Sequence, residues 1–154
     1  MKLAIVVALA AFAAASASAE PYAVGSELPV LELEDQHGNA HRVDENVRRV
    51  VLTRDMDGGK IAKAAIEEEG AAILEESASV YVSDVSRMPG AIRSLFAMPS
   101  LRRRPYPILL DTDGSATADF PSEEAKVTVI DLDSLRITRI RYVSDAEAVA
   151  EALR

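Results

Sequence analysis

Apolar positions in this chain alternate at the strand period in some stretches and recur at the helix period in others. Val30-Leu31-Glu32-Leu33-Glu34 predicts a strand, Asp35 to Asn39 a turn with Gly38 at positive φ, and Ala40 to Val43 an antiparallel return. Arg48 to Thr53 reads as a buried strand opened by charge. After a break at Asp55 to Gly59, Lys60 to Glu69 carries Ile61, Ala64 and Ala65 at helical spacing, and Gly70 suits its C-terminus. Ala78 to Asp84 is the next strand. Ser86 to Phe96 predicts a second helix, with Pro89 in its first turn, Ile92, Leu95 and Phe96 directed inward, and Pro99 ending it. Met88 and Met98 bracket that helix as core filler. Tyr106 to Leu110 is a short strand closed by the turn Asp111 to Gly114. Val127 to Leu132 and Arg136 to Val143 form a hairpin. Ser144 caps a last helix, Asp145 to Leu153, with Glu147 completing a capping box.

Strands separated by a helix pair in parallel through a right-handed crossover, whereas the hairpins add antiparallel strands. The expected architecture is therefore an α/β fold with a mixed central sheet, helices on both faces and an N-terminal β-hairpin.

The first residues change the picture. Met1-Lys2 is a short positive start, Leu3 to Ala15 is unbroken apolar sequence, and Ala17-Ser18-Ala19 is an A-x-A cleavage pattern. Residues 1–19 thus read as a cleaved signal peptide for export to the periplasm, with a domain over 20–154. The apolar run falls short of the roughly 20 residues that span a bilayer. Removing it leaves 135 of the 154 residues and, since Lys2 is its only charge, moves the net charge from −8 to −9. Such an acidic domain is expected to repel nucleic acid and, once its leader is cleaved, anionic membrane.

The chain has no cysteine. That excludes disulfides, thiol redox chemistry, thiolate metal sites and thiol nucleophiles together, even though the expected compartment permits disulfides.

Four stretches resemble the thioredoxin-like superfamily, in particular its branch of peroxiredoxins and periplasmic thiol-disulfide proteins. They are Gly25-Ser26-Glu27-Leu28-Pro29 with Leu31, Leu33 and Asp35-Gln36-His37-Gly38; Val50-Val51-Leu52; Tyr106 to Asp111 with Asp113-Gly114; and Val127 to Asp131. The resemblance implies a thioredoxin-like three-layer fold. It also implies redox cysteines between the first buried strand and the first helix, and a cis-proline before the strand at Val127. Here the loop is Arg54 to Lys60, without cysteine, and Glu124-Ala125-Lys126 carries no proline, although Pro121 lies upstream. The family's catalytic residues therefore have no counterparts, and the chain looks like a cysteine-free member of that group.

Several clusters remain as candidate chemistry. Asp55, Asp57, Gly58, Gly59 and Lys60 lie where a strand gives way to a helix, a place that can hold an anion or, through the two aspartates, a cation. The bland reading is a helix cap. Asp111-Thr112-Asp113-Gly114-Ser115 resembles the opening motif of haloacid-dehalogenase phosphatases, but too few residues follow for the rest of that site, so a turn is expected. Asp35, His37 and His41 are a minimal metal-ligand set, but His37 falls in a solvated turn, His41 on a strand need not face it, and there is no third histidine, so a structural role is expected. Arg102-Arg103-Arg104 is a basic connector that could join Lys60 or Arg54 around an anionic partner.

These features yield three expectations. The first is a non-redox, thioredoxin-fold exported protein that binds a periplasmic protein or small ligand through Asp55 to Lys60 and Glu123 to Lys126, with no cofactor. The second is a cysteine-independent enzyme using Asp55 and Asp57 with a divalent metal. The third is a flavin or nicotinamide oxidoreductase, although no dinucleotide fingerprint occurs.

Overall fold

The computed structural model describes residues 20–154; the expected signal peptide lies outside the described residues. Seven strands form one mixed sheet in the order β2-β1-β5-β4-β3-β6-β7. The strands are β1 (Leu31–Asp35), β2 (Ala40–Val43), β3 (Arg49–Thr53), β4 (Ser79–Asp84), β5 (Leu109–Asp111), β6 (Val127–Asp133) and β7 (Arg136–Val143). β3, β4 and β5 run parallel, and every other pairing is antiparallel. The N-terminal hairpin, the mixed sheet and the terminal hairpin are all as expected.

Helices α1 (Met56–Glu69) and α2 (Ile73–Glu76) follow β3. A continuous helical stretch over 90–101 follows β4, made of α3 (Gly90–Ile92), a π-helical turn (Arg93–Ala97) and α4 (Met98–Leu101). The chain ends in α5 (Ala146–Leu153).

The sequence predicts helices on both faces; the helical side chains that reach the core gather on one. Ala62, Ala65, Ile66, Leu74, Val149, Ala150 and Leu153, with Met98 and Leu101 beside them, pack on Val51, Tyr81, Leu110, Val127 and Val129. The steps from β3 to β4 and from β4 to β5 run the same way across the sheet, so two right-handed crossovers put both helical connections on the same side. The opposite face, with Val50, Leu52, Val82, Leu109 and Ile130, is covered by Tyr22, Leu28, Val47 and Phe120 from non-helical segments.

Local differences have local causes. α1 starts at Met56, four residues before the expected Lys60, because Asp55 caps it. Its buried face is Ala62, Ala65 and Ile66, and Ala64 is exposed. β5 starts at Leu109, not Tyr106, because Gln36 occupies the intervening backbone groups. Its amide donates to the Tyr106 carbonyl at 2.8 Å and accepts from the Ile108 N–H at 2.8 Å. Asp145, not Ser144, caps α5, accepting from the Ala148 N–H. The helical stretch over 90–101 runs past Pro99, which follows directly on the π-helical turn Arg93–Ala97, where the i to i−4 ladder is already interrupted. Ile92, Leu95 and Phe96 point outward, not inward. That stretch carries apolar residues on both sides, and the core took Met98 and Leu101.

Candidate functional site

The C-terminal ends of β3 and β4 and the start of α1 meet at one end of the sheet. Asp55, in extended conformation, places its Oδ1 2.7 Å from the Gly58 N–H, satisfying one of the unpaired donors at the start of α1. Its Oδ2 accepts the Ala125 N–H at 2.8 Å. One carboxylate thus ties the helix start to the loop that leads into β6. Ala125 has φ 58°, a left-handed conformation that strains a residue with a Cβ, and the bond from Asp55 helps to hold it there.

Gly58 allows this closeness. A Cβ on it would lie 2.7 Å from the Lys126 carbonyl oxygen. Gly59 faces open space, with the Tyr81 hydroxyl 4.0 Å from where its Cβ would stand. That hydroxyl bonds the Thr53 Oγ1 at 3.1 Å, and burial pushes the phenol's pKa up against the lowering effect of Thr53. Asp57 and Lys60 form an exposed ion pair at 3.0 Å, and Met56 beside them is 70% exposed. Lys126 pairs with Glu123 in the adjacent loop.

Arg54 does not turn toward this end. Its side chain is mostly buried, with Nη1 2.5 Å from Asp84 Oδ2 and Nη2 donating to the Thr117 and Phe120 carbonyls. Asp84, also buried, takes the Ser86 N–H on its other oxygen at 3.0 Å. This buried pair was invisible in the sequence; its only trace is a charged residue at the end of each of two apolar strands.

The three arginines do not join Lys60. Arg102 donates to the Gln36 carbonyl, and Arg104 pairs with Glu67 in the last turns of α1. The anion groove expected from Arg54, Lys60 and Arg102 to Arg104 is therefore not formed.

Asp111 to Ser115 is the expected turn. Asp111 accepts from Gly114 N and from both the N–H and the hydroxyl of Thr117, so both its oxygens are occupied within the loop. Gly114 has φ 79°, and a Cβ there would meet Ser86 Oγ at 2.8 Å. Ser115 donates twice to Asp113 and lowers that carboxyl's pKa.

Asp35 is a turn clamp. It accepts the backbone N–H groups of His37 and Asn39, the Asn39 side chain, and His41 Nε2 at 2.8 Å. Burial pushes its pKa up, but these bonds outweigh burial and hold the carboxyl well below the usual carboxylate range. His37 contributes its backbone, not its ring, to this cluster. Among the described residues no group of three or more His, Cys, Asp or Glu side chains could hold a metal ion.

Among the described residues, two hollows border side chains of the candidate chemistry. One of about 600 Å³ lies between β1 and the helical stretch, lined by Glu32, Glu34, Arg93, Met98, Arg102 and Asp113 among others. The second, of about 470 Å³, is bounded by His41, Leu74, Tyr81 and Tyr106. None of Asp55, Asp57, Gly58, Gly59 or Lys60 lines either. No described helix is long and apolar enough to cross a membrane.

Comparison with known proteins gives the fold a class. The peroxidoxin BcpB of Mycobacterium tuberculosis superposes with a TM-score of 0.55 at 23% identity, covering 84% of this chain and 92% of that one. A peroxiredoxin-like protein of Aquifex aeolicus gives 0.54 at 11% identity, over 88% of each chain. The thioredoxin domain of a thiol-disulfide oxidoreductase of Bacteroides vulgatus gives 0.55 at 10% identity, over 86% of this chain and 99% of that domain. No protein-family model and no curated protein matches the sequence. The fold is thioredoxin-like, and it is built here without a single cysteine.

Proposed function

We propose that this chain is a non-redox binding module, exported to the periplasm, that engages a partner protein or small ligand through the edge formed by Asp55 to Lys60 and Glu123 to Lys126. The observation that carries the reading is the pair of hydrogen bonds that Asp55 accepts, one from the Gly58 N–H and one from the Ala125 N–H. In the resembling proteins the corresponding loop is where thiol chemistry is expected. Here a carboxylate joins the two loops, with Met56 exposed at the start of α1 next to the Asp57–Lys60 ion pair and a second pair, Lys126–Glu123, on the joined loop. A flexible, exposed methionine beside a charged pair suits contact with another protein. The leader-like N-terminus supports export.

A metal-dependent enzyme at Asp55 and Asp57 draws less support. Both oxygens of Asp55 already accept backbone N–H groups, and Asp57 is paired with Lys60.

The test is a photo-crosslinking residue at position 56, in the chain expressed with its leader, and the same residue at position 142 as a control. A crosslinked product specific to position 56, lost on Lys60→Glu, supports the reading. No product at 56 beyond that at 142 overturns partner binding at this edge. Calorimetry with Mg²⁺, Ca²⁺, Mn²⁺ and Zn²⁺ tests the enzyme reading: heat that disappears in Asp57→Ala would revive it.

A further inference from the structure

Net charge conceals an asymmetry along the chain. Residues 86–110 contain five arginines and no acid, a local charge of +5, against −13 for the remainder. Only Arg104 of the five has a carboxylate partner among the described residues. Arg93 and Arg102 bond backbone carbonyls and face Glu32, Glu34 and Asp113 across the larger hollow. Arg87 and Arg103 are exposed without any partner among the described residues.

The same segment holds the most exposed apolar ridge on the described surface. Ile92, Leu95 and Phe96 lie at helical spacing and are 49%, 68% and 71% exposed. The other side of the stretch is committed to the core through Met98 and Leu101. The π-helical turn lies within the ridge, where its wider hydrogen-bond spacing marks a departure of the kind common at functional sites.

We infer that this ridge is a peripheral docking surface for an anionic phospholipid bilayer. Ile92, Leu95 and Phe96 would enter the boundary between headgroups and acyl chains, and Arg87 and Arg103 would meet lipid phosphates. An interfacial helix combines these two features: apolar area on one side and cations beside it. A protein partner fits the ridge less well. The ridge projects from the surface, and two arginines of the same segment have no partner among the described residues, the combination of apolar area and free cations that an anionic lipid interface takes up. A second copy packed ridge to ridge would bring like charges together. Glu32, Glu34 and Asp113 offset Arg93 and Arg102 across that hollow, which leaves Arg87 and Arg103 as the cations free to meet lipid, and charges more than about 8–10 Å from the bilayer are largely screened at physiological salt.

The chain has no tryptophan, so a single one reports its own surroundings. The experiment follows the emission of Phe96→Trp in the full chain, with vesicles of phosphatidylglycerol or of phosphatidylcholine. The control is Tyr142→Trp, at an exposed position on β7. The expected result is a blue shift at position 96 with phosphatidylglycerol only, reversed by about 0.5 M salt, and no shift at position 142. Arg87→Gln and Arg103→Gln in the Phe96→Trp background should each weaken binding about fivefold. An unshifted Phe96→Trp emission with phosphatidylglycerol overturns the inference. Equal shifts at both positions overturn it as well, since the leader or unfolding would then be responsible. A shift that grows with protein concentration in the absence of vesicles would assign the ridge to a second copy instead.

Discussion

The carboxylate of Asp55 accepts the N–H of Ala125 at 2.8 Å across 70 positions of sequence, while its other oxygen caps α1 at Gly58. One side chain therefore couples a local element to a distant loop. Asp55→Ala removes both bonds. The cap contributes about 1 kcal/mol and the cross-loop bond about as much, so a loss of roughly 2 kcal/mol is expected. Urea denaturation should show it as a lower midpoint with an unchanged slope; a loss below 0.5 kcal/mol, on the order of a surface substitution, would deny the clamp.

Adjacent glycines in α1 should respond with opposite signs. Gly58→Ala drives a Cβ against the Lys126 carbonyl, a backbone atom that cannot step aside. The expected cost is about 1–3 kcal/mol in spite of alanine's better helix propensity. Gly59→Ala has room and should gain up to about 1 kcal/mol. Thermal melts of the two variants side by side check the pair.

Asp84 is buried and Arg54 only 13% exposed, so removing the guanidinium strands a buried carboxylate. Arg54→Met should cost about 3–5 kcal/mol, and the added change Asp84→Asn should restore much of it. A double-mutant cycle in denaturant reads this coupling, and simple additivity of the two changes would contradict it.

Acid stability should depend on Asp35. Its folded-state pKa lies below its ordinary 3.8, because bonds from His41, Asn39 and His37 outweigh burial. A depressed carboxyl stabilises the fold fully above its unfolded pKa and loses that contribution as pH falls toward the folded value. The loss therefore occurs below about pH 4. Asp35→Asn should lower stability at neutral pH and flatten the acid limb of stability against pH. An unchanged acid limb would mean that another group controls it.

Much of the molecule was legible because its signals are local. Alternation at Val30 to Glu34 and at Arg136 to Val143 reports strands whose two faces differ in burial. The turn Asp111 to Ser115 is held by its own side chains, so its residues state its conformation. The ridge at Ile92, Leu95 and Phe96 was misassigned because helix period identifies a stripe without saying what lies opposite it. Met98 and Leu101 form a second stripe on the same stretch, and the path of the chain to β5 selects which one is buried.

The sequence by itself determined the seven strands and three main helical stretches, their order, the parallel crossovers, the two hairpins and the absence of thiol chemistry, but not the short helix α2 or the π-helical turn. Each follows from neighbouring residues or from composition. Only the tertiary structure decided that Asp55 clamps Ala125, that Arg54 turns inward to Asp84, and that Arg102 and Arg104 go to separate partners. These contacts join residues 30 to 70 positions apart. Whether a charged side chain meets a partner at such a distance depends on sheet order and crossover direction, and no local pattern encodes either.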